Sequence, residues 1–263
     1  MEFSHDHPPH HGRARRTVAL LSALGGLGAA ALAFPVGASA AGYGPQAPLT
    51  AHQIRAHDSD GVWGGYVAQG SGFTSISGSW TMPQVQCNST NDLFAPWVGI
   101  DGYGSQTVEQ TGVQVDCSSG SPVLSGWYEM YPAAPQYFSD PVSVGDNFTG
   151  SVTTDGQGNY TLTLTDNTQG WTEHTQQYLD AQNVSAEAVI ESPSSSYPSF
   201  NELDFSNVTV NGQVFDNVSP QAIDSGGYTE TALNNGNFSI VPGSNSTRRH
   251  SEVAGIRRGA IRY

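Results

Sequence analysis

The chain has 263 residues, with 23 acidic side chains against nine arginines and no lysine, and it is rich in tryptophan, tyrosine and phenylalanine. The aromatic content permits a sizeable core and excludes a disordered central region. No lysine or arginine lies between Arg55 and Arg248, so the body lacks the cations that nucleic-acid binding requires. We interpret this body either as adapted to acid, where protonation removes the repulsion between carboxylates, or as an ordinary acidic secreted protein.

Residues 1–40 are typical of a secretory signal peptide. Three arginines within residues 13–16 precede an apolar stretch at 17–34, and the Ala-Ser-Ala sequence at 38–40 matches a cleavage site. The apolar stretch is too short and too rich in Gly and Ala for a good membrane span. We therefore expect a secreted, extracellular protein that has no membrane contact once the signal is removed.

The remaining chain divides into three parts by composition. Residues 41–60 are interpreted as a linker or propeptide remnant, 61–246 as the folded body, and 247–263 as a basic tail that is expected to be disordered. The only two cysteines, Cys87 and Cys117, both belong to the exported body. One disulfide formed in an oxidising compartment is the natural prediction.

Short strand patterns follow one another through the body, separated by turns rich in Gly, Asn, Asp and Ser. Strands are predicted at 73–82, 96–100, 107–115, 124–131, 148–153, 160–165, 186–191, 203–210 and 238–241. Only residues 173–181 allow a helix, and a short one. Many short strands without helices between them predict an all-β fold, a lectin-like or jelly-roll sandwich of two antiparallel sheets.

Alternation of side chains along four of these strands places polar, acidic and aromatic residues on one face of each strand. The four sets are Trp97, Gly99 and Asp101; Val108, Gln110, Gly112 and Gln114; Trp127, Glu129 and Tyr131; and Glu187, Val189 and Glu191. A single such strand is better explained by a solvated face. Four together predict a concave, aromatic-lined site.

Several kinds of chemistry are excluded by missing motifs. There is no Gly-x-Ser-x-Gly sequence, His174 stands alone, and no His-Glu-x-x-His or Cys-x-x-Cys pattern occurs. A Ser–His–Asp triad and a zinc site are therefore not expected, and neither is any metal or cofactor. Carboxylate chemistry assisted by amides remains.

Two carboxylate mechanisms fit these residues. In the first, Glu187 and Glu191 are the paired acids of a glycoside hydrolase, although Val189 stands where such enzymes carry an Asp. In the second, one glutamate activates water and one glutamine from another strand stabilises the oxyanion. The residues alone do not choose among Glu129, Glu187 and Glu191, and a carbohydrate-binding sandwich without catalysis stays open as well.

A series of motifs in fixed order favours the second mechanism. They are Trp63–Tyr66, Gly72–Pro83, Trp97–Gly102, Glu109–Val113, Gly126–Pro132 and Ala186–Glu191. Through them the body, from about residue 62 to residue 210, resembles the eqolisin family of glutamic peptidases, and the Ala- and Gly-rich leader suggests a bacterial member. The resemblance implies a pair of antiparallel sheets and acid endopeptidase activity without metal or covalent intermediate.

The same resemblance assigns residues to roles. It implies Gln110 and Glu191 as the catalytic pair, and it places five residues near the substrate: Trp97, Asp101, Trp127, Glu129 and Tyr131. We expect a monomer whose partners are protein or peptide substrates. Two positions depart from the family pattern, because Gln114 and Ser192 stand where an Asp is usual.

Overall fold

The computed structural model describes residues 62–243. Within this range nearly all regular structure is strand, and one 3-10 helix covers Phe215–Val218. No helix in this part of the chain has the length and apolarity needed to cross a membrane. The strands are β1 Trp63–Gln69, β2 Ser75–Thr81, β3 Leu93–Asp101, β4 Val108–Asp116, β5 Val123–Tyr131, β6 Gln136–Tyr137, β7 Asn147–Thr154, β8 Asn159–Asp166, β9 Trp171–Tyr178, β10 Ser185–Glu191, β11 Leu203–Val210, β12 Gln213–Val214, β13 Gln221–Ile223, β14 Tyr228–Glu230 and β15 Phe238–Pro242.

These strands form two antiparallel sheets. The seven-stranded sheet has the order β13-β1-β10-β3-β4-β5-β6, and the eight-stranded sheet has the order β14-β15-β11-β2-β7-β8-β9, with β12 paired to β11. About half of the neighbouring strands are distant in sequence, such as β1 and β10. The predicted fold class, a sandwich of two antiparallel sheets, is confirmed.

The main core lies between the two sheets and is rich in aromatic side chains. Trp80 is fully buried and stacks on Phe148 with ring centroids 6.2 Å apart, while Phe205 lies 5.9 Å from it on the other side. Such ring pairs stabilise a fold by about 0.5–1.5 kcal/mol each beyond the burial of their area. The aromatic content seen in the composition is thus used mainly to join the sheets.

A second apolar cluster covers the opposite, outer face of the seven-stranded sheet. Its buried members are Trp63, Val67, Ala95, Trp97, Tyr103, Val108, Trp127, Val189 and Ile223. Every residue of β3 and of β10 is buried as a result. The centre of this sheet is therefore shielded from water on both faces, which is unusual for an antiparallel sheet of a two-layer sandwich.

The outer face of the eight-stranded sheet is of a different kind, because hydroxyl groups cover it. Three neighbouring strands contribute alternating residues: Ser75, Ser77 and Ser79 of β2; Thr149, Ser151 and Thr153 of β7; and Thr161, Thr163 and Thr165 of β8. Some of these hydroxyls bond to each other, as in the 2.8 Å pair of Ser79 and Thr149. This face binds water through neutral groups.

The short helix that the sequence allowed at residues 173–181 is not formed. Residues 171–178 form β9, the edge strand paired with β8. Half-buried and exposed residues alternate strictly along β9, which is the two-residue period of a strand. Strand β1 was missed for another reason: six consecutive buried residues, two of them glycine, leave no alternation to detect.

The predicted disulfide between Cys87 and Cys117 is confirmed, with the two Cα atoms 5.7 Å apart. It joins the segment after β2 to the turn between β4 and β5, and the chain between the two cysteines includes all of β3. The bond therefore restrains the centre of the seven-stranded sheet.

We expect that replacing both cysteines by serine lowers the free energy of unfolding by about 3–4 kcal/mol, because a closed loop of 30 residues restricts the unfolded chain. Thermal unfolding followed by circular dichroism should then show a melting temperature about 10 °C lower. The wild-type protein in reducing agent is the matched control and should melt with the double variant. Equal melting temperatures for oxidised and variant protein would contradict the prediction.

Candidate active site

The four polar faces predicted from the sequence lie side by side on the outer face of the seven-stranded sheet, in the order β10, β3, β4, β5. Glu191 of β10 is opposite Ala95 of β3, and Gln110 of β4 is opposite Gly99 of β3. The two candidate catalytic residues thus share a face. Glu191 and Gln110 are two strands apart, which is about 10 Å across the sheet. They are in addition offset by four positions along the direction of β3.

Trp97 occupies the position between Glu191 and Gln110. Its side chain is fully buried, and the indole Nε1 donates a hydrogen bond of 3.2 Å to Oε2 of Glu191. Trp63, directly opposite Glu191 on β1, packs edge-to-face against Trp97 with ring centroids 4.7 Å apart. The carboxylate of Glu191 is therefore held by a rigid aromatic pair.

Two glycines make room for this indole. A Cβ on Gly99 would lie 2.8 Å from Cζ3 of Trp97 and 3.0 Å from the Cβ of Gln110. A Cβ on Gly112 would lie 2.6 Å from the Cβ of Trp97. The indole therefore fits between β3 and β4 only because both positions lack a side chain, and its far edge reaches the backbone beside Gln110.

The amide of Gln110 is fixed on one side and open on the other. Its Nε2 donates to Oε2 of Glu129, directly opposite on β5, at 2.7 Å. Its Oε1 is buried and has no hydrogen-bond partner in the part of the chain that the structure describes. A buried polar atom in this condition is expected to bind a water or a substrate group.

Burial raises the pKa of Glu129 to about 7, and the hydrogen bond from Gln110 opposes that rise only in part. In acid the Glu129 carboxyl is therefore neutral. The Gln110 amide consequently has a hydrogen-bond partner beside it without a fixed negative charge.

Accessibility distinguishes the two glutamates of β10. Glu187 lies opposite Gly99, in the same row of the sheet as Gln110, but it is fully buried. Glu191 retains 6% of its surface, at the end of the strand. Glu187 and Glu191 therefore do not form a pair of carboxyls that both reach a sugar, which removes the structural basis for a glycoside hydrolase site.

Among the residues expected near the substrate, Trp127 and Tyr131 belong to the outer apolar cluster beside Gln110. Trp127 is 5% exposed, and its Nε1 is buried without a hydrogen-bond partner. Tyr131 is half-buried at the rim of the cluster. These two rings and Trp97 give the face an apolar lining.

Asp101 does not fit the expected substrate contact. It is fully buried, and its carboxylate accepts hydrogen bonds from three backbone N–H groups: Val184 at 2.8 Å, Asn183 at 2.8 Å and Gln182 at 3.1 Å. The carboxylate therefore holds the segment that leads into β10 and is not available to contact a substrate. The sequence did not reveal this because the N–H partners lie more than eighty residues away.

Sequence reasoning also missed two features near the site. Tyr137 of the short strand β6 donates a 2.9 Å hydrogen bond to Oε1 of Gln114, one of the two positions that depart from the family pattern. Glu109 is a second fully buried glutamate, on the strand face opposite that of Gln110. The sequence did contain a signal for its burial, because Glu109 lies on the same strand face as the apolar residues Val113 and Val115.

Ser192, the other departure, lies in the tight turn that follows β10. Its N–H donates to the carbonyl of Val62, and its hydroxyl donates to the carbonyl of Ser196. The turn therefore ties the end of β10 to the start of β1, next to Glu191. No group of three or more His, Cys, Asp or Glu side chains among residues 62–243 is arranged to hold a metal ion.

Comparison with known proteins agrees with this architecture. The model of the Peptidase A4 family matches residues 61–241. Aspergillopepsin-2 from Aspergillus niger is 30% identical over 129 residues, 41% of this chain and 46% of that protein. Scytalidopepsin B from Scytalidium lignicola is 36% identical over 110 residues, 41% of each protein. The matched segment thus spans less than half the length of either relative.

Solved structures show the same fold at lower sequence identity. Scytalido-glutamic peptidase with a transition state analog inhibitor superposes with a TM-score of 0.61 at 24% identity, over 70% of this chain and 98% of that one. SCP-B, an eqolisin in a complex with the tripeptide Ala-Ile-His, superposes with a TM-score of 0.57 at 22% identity over the same shares.

We expect Asp101→Asn to lower the free energy of unfolding by about 1.5–3 kcal/mol, because an amide replaces one charged acceptor of the three N–H donors. Urea unfolding measures this, with exposed Asp180→Asn as the control that makes the same charge change. The KM for peptide should stay unchanged. A raised KM at unchanged stability would instead restore Asp101 as a substrate contact.

Proposed function

We propose that this chain, which belongs to the Peptidase A4 family, is a secreted acid endopeptidase in which Glu191 activates water and Gln110 stabilises the oxyanion. One observation carries the assignment. Gln110 and Glu191 lie on the same face of one sheet, on either side of the buried indole that donates to Glu191, and Oε1 of Gln110, which has no hydrogen-bond partner among residues 62–243, can accept a hydrogen bond from the attacking water.

The proposed reaction has two proton transfers, both through Glu191. The ionised carboxylate takes a proton from a water as the water oxygen bonds to the scissile carbonyl carbon. The tetrahedral intermediate then forms with its negative oxygen facing the Gln110 amide. Protonated Glu191 next gives its proton to the amide nitrogen, the C–N bond breaks, and the carboxylate is regenerated. No metal and no covalent enzyme intermediate takes part.

The surroundings of Gln110 suit this role. One N–H of Nε2 is bound to Glu129, which fixes the plane of the amide and leaves the second N–H to face the oxyanion. Because Glu129 is neutral in acid, it does not repel the negative charge that develops on the substrate. An amide also keeps its N–H donors at low pH. At that pH an imidazole carries a positive charge and a carboxylate is protonated.

The substrate is proposed to be an extended peptide that crosses the outer face of the seven-stranded sheet. Trp127 and Tyr131, which keep some exposed surface in the outer apolar cluster, suit hydrophobic side chains, whereas Trp97 is fully buried. The scissile bond and its water would lie over the Trp97 indole, which separates Gln110 from Glu191, so that both side chains approach the reacting atoms from either side. Related structures contain peptide-based inhibitors or a tripeptide, which supports this choice of ligand.

Export is part of the proposal. The disulfide between Cys87 and Cys117 requires an oxidising compartment, and the body from residue 62 to residue 243 has no lysine or arginine to retain ion pairs at neutral pH. The sequence pattern of a signal peptide, at 1–40, lies outside the described residues.

We expect Gln110→Ala and Glu191→Gln each to lower peptide hydrolysis by about 10²–10³-fold or more at about pH 3–4, because each removes one half of the proton-transfer and oxyanion machinery. Casein digestion, followed as acid-soluble peptide, provides the measurement. Gln176→Ala and Glu202→Gln change exposed residues of the same types and serve as matched controls.

Circular dichroism must show that all four variants are folded. Wild-type rates in either Gln110→Ala or Glu191→Gln would exclude that residue from the reaction. Retention on immobilised glycans that survives Glu191→Gln, with no proteolysis at any pH, would identify the sandwich as a carbohydrate-binding protein instead.

A further inference from the structure

Two buried glutamates lie near Gln110, Glu109 on the same strand and Glu187 on β10, and the proposed reaction uses neither of them. Glu109 precedes Gln110 on β4 and faces the main core, where its register partners are Ile100 and Met130. Glu187 faces the outer side of the same sheet, in the row of Gln110. The two side chains thus lie on opposite faces of the sheet, at the same end of β3.

Neither carboxyl is compensated. Both side chains are fully buried, and none of their four oxygens has a hydrogen-bond partner in the described range, residues 62–243. The hydroxyls of Thr107 and Ser185 lie near Glu109 and Glu187 respectively, without the alignment of a hydrogen bond. An ionised carboxylate in such a place carries the full cost of its lost hydration.

The charged and titratable groups around the pair are themselves acidic or neutral. Asp101 of β3 is close enough for its negative charge to act on both glutamates, and Tyr160 of the opposite sheet is close to Glu109. On the outer face, Tyr103 and the apolar Val67 lie beside Glu187. Within residues 62–243 there is no lysine or arginine, and the single histidine is exposed on the edge strand β9 of the other sheet.

Both groups are therefore protonated in the folded state in acid. Burial raises the pKa of Glu109 to about 8, and the negative charge of Asp101 adds to the effect. Burial raises the pKa of Glu187 well above its ordinary value of 4.5 as well. In the unfolded chain each carboxyl loses its proton near 4.5. Between that value and about pH 8 the folded state retains protons that the unfolded state releases, so stability falls as pH rises.

The segment of residues 102–105 lies beside Ser185, which is two residues from Glu187 on the same face of β10. The N–H of Tyr103 donates to the hydroxyl of Ser185 at 3.2 Å, and the N–H of Gly102 donates to the hydroxyl of Ser105 at 2.7 Å. The carboxylate of Asp101 holds the neighbouring segment at 182–184. Water reaches Glu187 if these contacts break, and the end of β3 beside Gln110 is released with them.

We infer that Glu109 and Glu187 are a proton-dependent structural pair: while protonated they keep β3, β4 and β10 packed around Gln110, and this packing opens when they ionise. The pair thereby confines the assembled site to acid. The consequence for activity rests on the proposed function, whereas the opening itself does not.

The test compares Glu109→Gln, Glu187→Gln and the double variant with Glu202→Gln, an exposed glutamate of equal charge. Glutamine reproduces the shape of a protonated glutamate and does not titrate. Urea unfolding at several pH values between about 5 and 7.5 gives the unfolding constant and its dependence on pH.

For each buried glutamate replaced, the slope of the logarithm of the unfolding constant against pH should fall by about one, a tenfold change per pH unit. The double variant should therefore stay folded at a pH where the wild-type protein opens, and Glu202→Gln should follow the wild type. Slopes equal to that of the wild type in both single variants would overturn the inference. An equal change in Glu202→Gln would also overturn it, because net charge would then be the cause.

Hydrogen exchange of the wild-type protein keeps the test independent of whether the variants fold. After correction for the intrinsic pH dependence, amides of residues 108–116 and 185–191 should lose protection between about pH 6 and 8, while those of β7 and β8 keep theirs. Uniform loss of protection over both sheets would contradict the inference.

An activity measurement separates this inference from the proposed function. Protein held at about pH 8 and then assayed at about pH 4 should lose less casein-digesting activity as the double variant than as the wild type. If no form digests casein at any pH, the proposed function fails, while the unfolding and exchange results still decide the role of the two glutamates.

Discussion

A sheet that is shielded from water on both faces and has no lysine or arginine nearby must keep its carboxyls either neutral or bound to N–H donors. Every acid in the centre of the seven-stranded sheet obeys this constraint in its own way. Asp101 binds three backbone N–H groups, Glu129 binds the amide of Gln110, and Glu191 binds the indole of Trp97. Glu109 and Glu187 have no such donor and depend on a proton.

This constraint explains why a glutamine and a tryptophan surround the proposed catalytic acid. A lysine or arginine beside Glu191 would stabilise the carboxylate strongly and make it a poor base for water. The neutral N–H of Trp97 orients the group without adding a charge. Gly99 and Gly112 leave room for that indole because neither has a side chain. The absence of these two side chains therefore determines how Trp97 orients the carboxylate of Glu191.

The sequence was sufficient to predict the two-sheet fold class and the face on which each side chain of a located strand lies, because alternation of side chains is a local property. It also located the group containing Gln110 and Glu191, through motif order. Side-chain alternation alone did not distinguish Glu187 from Glu191, because the two share a strand face and differ in burial. Their burial depends on residues that are distant in sequence, such as Tyr103 beside Ser185 of the same strand, and no local pattern reports such contacts.

The same limit applies to Asp101 and to β9. Asp101 stands at a motif position among exposed-looking polar residues, yet its partners are backbone N–H groups of residues 182–184. For β9, residues such as Glu173 and Gln177 allow a helix by intrinsic preference, and pairing with β8 overrides it. In both cases the deciding interaction is long-range.

The hydroxyl-covered face of the eight-stranded sheet has a consequence for solubility. Most proteins become strongly cationic in acid and remain dispersed by that charge. The part of this chain between residues 62 and 243 has one histidine and no other base, so protonation brings it close to zero net charge. Colloidal stability there must come from neutral hydration, and the ladder of serine and threonine side chains on β2, β7 and β8 supplies it at every pH.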